Sequence, residues 1–237
     1  MSGGKQIEQI IERQVKFWEV RRRAADESGA GAGRVLAQLG EGPWLSVSRQ
    51  RGARGEELAR RLGRELDWRI FDRQIVTAIA ERTEMRDVVL SQLDERAFGA
   101  FNDYVRQLLV PNDPGQLTYL QQLVKVIWGL ARQGNAIILG RGANWFLNAS
   151  FGLRIRVIAP LELRAETTAR AEGLPLVQAG KRIKEHDARQ AAYIRQVYGR
   201  DIDDPLGYDL TLNTGELELE TAKRTVLAAL RSRLIEP

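Results

Sequence analysis

Residues 44–59 read Trp44-Leu45-Ser46-Val47-Ser48, then Arg49-Gln50-Arg51-Gly52-Ala53-Arg54-Gly55, then Glu56-Glu57-Leu58-Ala59, and this stretch decides the fold. A short apolar run predicts a strand, a loop with two glycines follows, and a helical pattern continues directly over Gly55–Leu66. A strand that turns through glycine into a helix N-terminus gathers backbone N–H groups and the positive end of the helix dipole at one point, which suits a phosphate. By spacing alone, an ordinary tight turn between strand and helix reads equally well.

Outward from this stretch, short apolar runs alternate with helical patterns, which predicts an α/β domain with a mainly parallel sheet. Candidate strands are Trp44–Ser48, Arg69–Phe71, Ala136–Leu139, Arg154–Ile158 and Tyr208–Leu212. Candidate helices are Gly55–Leu66, Gln74–Thr83, Leu117–Gln133, Leu161–Ala171, Leu176–Tyr198 and Glu218–Leu234, and Pro111–Gly115 reads as a turn. Upstream, Ile7, Ile11, Val15 and Trp18 recur at helical spacing, and Ser28–Gly33 (SGAGAG) then breaks the pattern. The expected organisation is therefore an N-terminal amphipathic helix and linker over 1–33, then one domain over 34–237.

Composition removes several kinds of chemistry. The 237 residues include no cysteine and a single histidine, His186, which disfavours disulfides, a Cys/His zinc site, thiol catalysis and histidine-rich constellations. Of 36 basic residues only six are lysine, so 30 are arginine, a residue that grips phosphate bidentately. The net charge of +5 is modest and the bases are interspersed with acids, so nonspecific nucleic-acid binding is not expected. No apolar run approaches a membrane span and the N-terminus lacks a signal-peptide core, so the expectation is a soluble cytoplasmic protein.

Several further residues stand out. Arg141 lies between Gly140 and Gly142 at the carboxyl end of the strand AIIL, where parallel sheets usually bind ligands. Arg182 and Arg189 share one face of a predicted helix, and Lys184 and Arg195 share another. On residues alone, this helix reads as solvated, with Glu185 and Asp187 pairing with its bases, and His186 as a surface histidine. Trp44, Phe71, Trp128, Trp145 and Phe146 read as core, with base stacking open to Trp145 or Phe146.

Taken in order, SRQRGARGEELARRLG, FDRQI, ILGRGANWFL, VIAPLELRAETTAR, KEHDARQAAYIRQVYG and YDLTLNTGEL resemble the cytidylate kinase-like family of P-loop proteins over about Trp44–Leu230. The resemblance implies a three-layer P-loop kinase fold: a five-stranded parallel sheet with helices on both faces, here with an N-terminal helical extension. It implies a phosphate loop at Ser48, Arg49, Gly52, Ala53, Arg54, Gly55 and Glu56, and an acceptor pocket at Asp72, Arg73 and Arg141. Arg54, Arg170, Asp187, Arg189 and Arg195 are the implied catalytic set, with Arg164 and Arg182 nearby, because arginines neutralise charge on a transferring phosphoryl group. Asn213-Thr214 matches the family's NT motif, which contacts the donor's adenine or caps the turn into the last helix. ATP with Mg2+ is the implied cofactor and a nucleotide or other phosphorylated small molecule the implied ligand; the N-terminal helix reads either as the contact to a homodimer mate or partner or as packing back on its own domain.

The chain departs from the Walker pattern G-x-x-x-x-G-K-[ST]. Aligned on the strand, loop and helix, the first glycine falls on Arg49, the lysine on Gly55 and the hydroxyl residue on Glu56, and the acidic residue that precedes or ends the family's GRD motif is here Leu139 or Gly142. No metal ligand is identified from the sequence. Two functions follow as alternatives. One is phosphoryl transfer from a nucleoside triphosphate to a nucleoside monophosphate or similar acceptor. The other is a degenerate module that binds a phosphorylated ligand and signals through its N-terminal helix. An arginine-rich nucleic-acid binder ranks behind both.

Overall fold

The computed structural model describes residues 43–81, 114–147 and 149–235. The expected N-terminal helix and the linker at 28–33 lie outside the described residues. Five strands form one parallel sheet: β1 (Trp44–Arg49), β2 (Arg69–Phe71), β3 (Ala136–Leu139), β4 (Gly152–Ile158) and β5 (Leu210–Asn213), in the order β2-β3-β1-β4-β5. The register sets Trp44 opposite Ala136 on one side and Gly152 on the other, and Ile158 opposite Asn213 at the far edge. Helices are α1 (Gly55–Leu66), α2 (Arg73–Glu81), α3 (Pro114–Gln133), α4 (Leu161–Glu172), α5 (Leu176–Tyr198) and α6 (Leu219–Ile235).

Side chains alternate across a strand, so β1 feeds two cores. Leu45 and Val47 join Ile137, Ile155 and Val157 in a core shared with Leu58 and Leu62 of α1 and Val226 and Leu230 of α6. Trp44 joins Ile138 on the other face, with Val76 and Ile79 of α2, Leu123 and Ile127 of α3, and Ile194 and Val197 of α5. Helices therefore cover both faces of the sheet, as an all-parallel sheet requires. Lone polar positions on the second face are used: Arg156, 4% exposed, donates through Nη1 to Ser48 Oγ at 2.8 Å and pairs through Nη2 with Asp203 at 2.8 Å.

Helix ends follow local chemistry. α1 stops at Asp67, whose backbone is left-handed and whose N–H bonds to Gly63 O. α4 and α5 both start after a proline, Pro160 and Pro175, and both end on a left-handed glycine, Gly173 and Gly199. Several boundaries differ from the sequence expectation: β5 runs over Leu210–Asn213 and not Tyr208–Leu212, α2 begins at Arg73 and not Gln74, and other ends within the described residues move by at most a single residue. Two further shifts have a physical reason. Pro114 and Gly115, read as part of a turn, instead open α3, because proline is suited to the first helical position, where no N–H is needed. β4 begins at Gly152 rather than Arg154: a Cβ at 152 would run into the ring of Trp44 on the neighbouring strand, so this glycine belongs to the sheet instead of breaking it.

That contact generates a test. Gly152→Ala forces the methyl against a buried indole and is expected to cost about 1–3 kcal/mol of stability in urea denaturation, the usual penalty for overpacking a filled core; an unchanged midpoint would show that the strand pair is not tightly packed there.

Candidate functional site

The site is built where β1, β3 and β4 end. After Arg49 the chain makes a compact loop: Gln50 N–H bonds to Val157 O at 3.0 Å, Gln50 Oε1 accepts from Ala159 N at 3.2 Å, and Ala53 N–H returns to Gln50 O at 3.1 Å. Arg54 precedes α1 in a left-handed conformation and supplies no side-chain cap, so the leading N–H groups of the helix face outward from the loop. Thr214 Oγ1 lies 2.8 Å from Ala53 O and 3.2 Å from Ile158 O, and Asn213 Oδ1 accepts from Gly215 N–H at 3.0 Å. Of the two roles open to the NT motif, these bonds are those of a turn that braces the phosphate loop from behind.

In front of the loop is a cleft of about 720 Å³. Among the described residues seven arginines line it, Arg49, Arg51, Arg54, Arg60, Arg73, Arg141 and Arg189, against three carboxylates, Glu56, Glu57 and Glu172. Each carboxylate is paired. Glu56 accepts from Arg49 at 2.7 Å, Glu57 from Arg61 at 2.6 Å, and Glu172 from both Arg51 at 2.5 Å and Arg182 at 3.0 Å. The Arg49 hydrogen bond holds the Glu56 carboxyl below its ordinary value, and the Arg51 bond does the same for Glu172. Such a cleft attracts anions, and its guanidinium groups are held at the ready by internal carboxylates.

Arg49 explains the altered loop. A Cβ placed on Gly55 would lie 2.6 Å from Arg49 Cβ and 3.3 Å from Val157 Cβ, so the stem of Arg49 fills the space through which a side chain at 55 would leave. The Arg49 guanidinium reaches forward to Glu56 at the head of α1 on one side, while its Nη1 would stand 3.0 Å from a Cβ on Gly140 at the end of β3 on the other. A long cation is thus kept at this point, rooted on the strand instead of on the helix.

At the end of β3, Arg141 adopts φ 58, between two glycines that are also left-handed. Its Nη2 donates to Thr77 Oγ1 of α2, and its carbonyl accepts from Tyr198 OH at 2.7 Å. Any Cβ on Gly142 would overlap the Tyr198 ring, so the position that is acidic in the family's GRD motif has no room for a side chain here. Burial pushes the Tyr198 hydroxyl well above its ordinary value and keeps it a donor. Arg141 Nε is buried without a partner among the described residues.

Of the expected phosphate loop, Ser48, Arg49, Gly52, Arg54, Gly55 and Glu56 line the cleft; Ala53 is fully buried and contributes backbone only. Arg73 and Arg141 line it, whereas Asp72 turns away to cap α2, its Oδ1 accepting from Gln74 N at 2.9 Å and Ile75 N at 3.0 Å. Of the expected catalytic set, Arg54 and Arg189 line the cleft and three residues do not. Arg170 is exposed on α4, where Thr167 and Ala171, one turn apart, take the cleft face instead. Arg195 is exposed and stands 3.9 Å from Asp201. Asp187 stands behind the lining: its Oδ2 accepts from Arg164 Nη1 at 2.6 Å, so it pairs across to α4 and not with the bases of its own helix.

Sequence reading missed four contributors. Glu172, Tyr193 and Tyr198 carry no local signal, since their partners Arg51 and Arg141 are remote in the chain. His186 faces the cleft instead of open solvent, and burial, with Arg51 next, lowers its pKa. Of the two aromatics left open for stacking, Trp145 lines the cleft, while Phe146 is 5% exposed and stacks on Tyr198 at 6.2 Å.

Magnesium, implied by the resemblance, does not find a protein-built site among the described residues. Glu56, which stands where Walker loops have a hydroxyl, is engaged by Arg49, and the described residues hold no group of three metal-ligating side chains. No helix of the described residues is long and apolar enough to cross a membrane.

Comparison with known proteins matches residues 45–216, most of the chain, to the model of the cytidylate kinase-like family. The cytidylate kinase of Pyrococcus horikoshii is 35% identical over 100 residues, which is 42% of this chain and 52% of that protein. That of Methanocaldococcus jannaschii is 33% identical over 104 residues, 43% of this chain and 58% of that protein. The chain spans about half the length of these curated relatives. The crystal structure of an uncharacterized protein from Eubacterium ventriosum superposes with a TM-score of 0.65 at 16% identity, over 80% of this chain and 98% of that one, and shows the shared fold.

The Arg141 turn offers a direct test of construction. Tyr198→Phe leaves the ring in place but strands a carbonyl, and is expected to lower stability by about 1–3 kcal/mol in urea denaturation; a loss below the error of the measurement would mean that the hydroxyl does not hold the turn.

Proposed function

The chain belongs to the cytidylate kinase-like family, and on that premise we propose that it transfers the γ-phosphoryl group of a nucleoside triphosphate to a nucleoside monophosphate or a similar small acceptor, with CMP the first candidate. One observation carries this reading. The guanidinium of Arg49 lies between the phosphate loop with the head of α1 and the Gly140–Gly142 turn with Arg141, the place where a phosphoryl group passes from donor to acceptor. The donor phosphates take the N–H groups of the loop and the start of α1, displacing Glu56 from Arg49 and Glu172 from Arg51. The acceptor phosphate takes Arg141 and Arg73. Arg49, Arg54 and Arg189 then neutralise the charge that spreads over the transferring group, which is most of what this reaction asks of a protein.

No carboxylate of the cleft is free to act as a base, and a phosphate oxygen as nucleophile needs none. Magnesium, when bound, would be held by the triphosphate's own oxygens and water and would neutralise part of the phosphate charge. A second reading, a binding module without turnover, is favoured by Glu56 standing in place of the metal-holding hydroxyl. In either reading, residues 1–33 are the segment through which the chain self-associates or meets a partner, and 34–237 form the kinase-like domain.

A coupled assay with ATP and a panel of monophosphates decides between them. Arg49→Ala is expected to lower kcat/KM by roughly 10²–10³-fold, the usual loss for one preorganised donor. Gly55→Lys alone inactivates by steric conflict, and Arg49→Gly with Gly55→Lys recovers turnover by rooting the cation on the helix. Saturable ATP binding without turnover on any acceptor supports the binding module; neither binding nor turnover removes both readings. Removal of residues 1–33 is expected to leave ATP binding intact and to change the oligomeric state in light scattering.

A further inference from the structure

The phosphoryl-transfer reading leaves the histidine of the cleft without a role. His186 lies midway along α5 and lines the cleft with its side chain 36% exposed. Its Nδ1 is buried and has no partner among the described residues, and the same holds for Oδ1 of Asp187; the two atoms stand 3.8 Å apart. The other oxygen of Asp187 is fixed from α4 by the buried Arg164, at 2.6 Å. Asp187 is therefore clamped from one side and presents a free oxygen to the imidazole on the other. Buried polar atoms are normally paired, and these two orphans are each other's counterpart, short of a hydrogen bond by about 1 Å. With Nδ1 toward Asp187, Nε2 on the opposite edge of the ring is the nitrogen left for the cleft.

The charges around the ring are unequal. Arg49 at the end of β1, Arg51 in the phosphate loop and Arg189 on α5 all oppose a proton on His186, and Asp187 alone favours it, with part of its charge engaged by Arg164. Burial is the largest influence and acts in the same direction as the arginines, so the free imidazole titrates below its ordinary value and is mainly neutral at pH 7. A phosphate dianion or a triphosphate in the cleft would cancel the field of those same arginines and reverse the balance.

We propose that His186 is a phosphate-contacting residue that becomes cationic on binding: the imidazole takes one proton from solvent, closes onto Asp187 through Nδ1–H and donates Nε2–H to a phosphate oxygen. Asp187 is its positioning residue and Arg164 the anchor of Asp187. The inference rests on the reading of this cleft as a phosphate site. The sign is fixed by linkage. A group that gains a proton on binding makes affinity strongest at low pH, and affinity falls as pH rises from the free pKa toward the bound one.

Because the chain has one histidine, its imidazole C2 proton gives a single ¹H NMR resonance in the untagged full-length protein. Followed against pH without ligand, its midpoint is expected below 6.5. With saturating ATP it is expected to rise by a pH unit or more, equivalent to at least about tenfold tighter binding to the protonated form. Calorimetry of ATP binding at pH 7 in buffers of different ionisation enthalpy should show net proton uptake, up to about half a proton for a one-unit rise and more for a larger one, lost in His186→Gln. The wild-type advantage over that variant should shrink as pH rises, the ionisation of ATP itself being common to both. A midpoint that ATP does not move, or equal proton uptake in the variant, overturns the proposal. Turnover with a stationary resonance sinks the histidine role alone; a shifted resonance without turnover on any acceptor sinks the transfer reading alone. ATP that neither binds nor moves the resonance sinks both.

Discussion

Two side chains cannot both occupy the space above the first turn of α1. Arg49 leaves β1 through the volume that a side chain at 55 would need, with only 2.6 Å between Arg49 Cβ and a Cβ at 55, so the chain carries arginine on the strand and glycine on the helix. The Walker pattern solves the same conflict in the opposite sense, with glycine on the strand and lysine on the helix. The consequence is not an exact equivalent. A guanidinium is planar, stays charged and offers several donors in a fixed fork, whereas an ammonium is a compact point charge. Arg49 uses that fork to reach Glu56, which ties the cation to the helix head in the absence of ligand. The rest of the loop is arranged around this exchange: Gln50 is fastened by one hydrogen bond to Val157 of β4 and one to Ala159 just after it, and Thr214 is hydrogen-bonded to Ala53 from below.

A cleft with so many arginines has to manage its own repulsion, and it does so in part with the carboxylates of Glu56, Glu57 and Glu172. Glu56 and Glu172 are substantially exposed and lie at its rim, so their ion pairs are worth little, on the order of 0–1 kcal/mol each. Pairs this weak keep guanidinium groups in place without opposing a phosphate, whose bonds to arginine are stronger and bidentate. The deep pairs behave differently. Arg156 and Arg164 are nearly fully buried, and removing their partners would strand a charge in the interior, so Asp203 and Asp187 serve the scaffold as well as the charge balance.

Much of the fold was legible in the sequence because it rests on short-range regularities. The strand, loop and helix over 44–66 and the proline and glycine bounds of α4 and α5 are local, and the structure follows them closely. β4 was misplaced at its start because Gly152 looks like a breaker locally and is explained only by Trp44, 108 positions earlier in the chain and adjacent in the sheet. The site divided in the same way. Arg49, Arg54 and Arg141 follow from their places at strand ends and in glycine turns. Glu172 is seen only through Arg51, 121 residues away, and Tyr198 only through Arg141, 57 residues away. The helix face was read half correctly: Arg189 faces the cleft, but nothing local says that Asp187 pairs across to Arg164 on α4, which turns a supposed surface histidine into a member of the site.

α5 joins these parts mechanically. Its 23 residues span roughly 34 Å at 1.5 Å per residue. Near its C-terminus Ile194, Val197 and Tyr198 are buried in the sheet core, and Tyr198 holds the carbonyl of Arg141. Toward its N-terminus only Ala179 and Ile183 are buried, Leu176 and Val177 are exposed, and the contact across the cleft runs through Arg182, Glu172 and Arg51 at the surface. Stability along one helix is therefore graded, strong where it fixes Arg141 and weak where it meets Arg51. A rotation of five degrees about the anchored end would leave Arg141 in place and carry Arg182, about 24 Å away along the axis, through about 2 Å. His186 and Arg189 lie between those extremes. One rigid element thus reaches both Arg141 at the end of β3 and Arg51 in the loop after β1, held firmly at the first and only by surface ion pairs at the second.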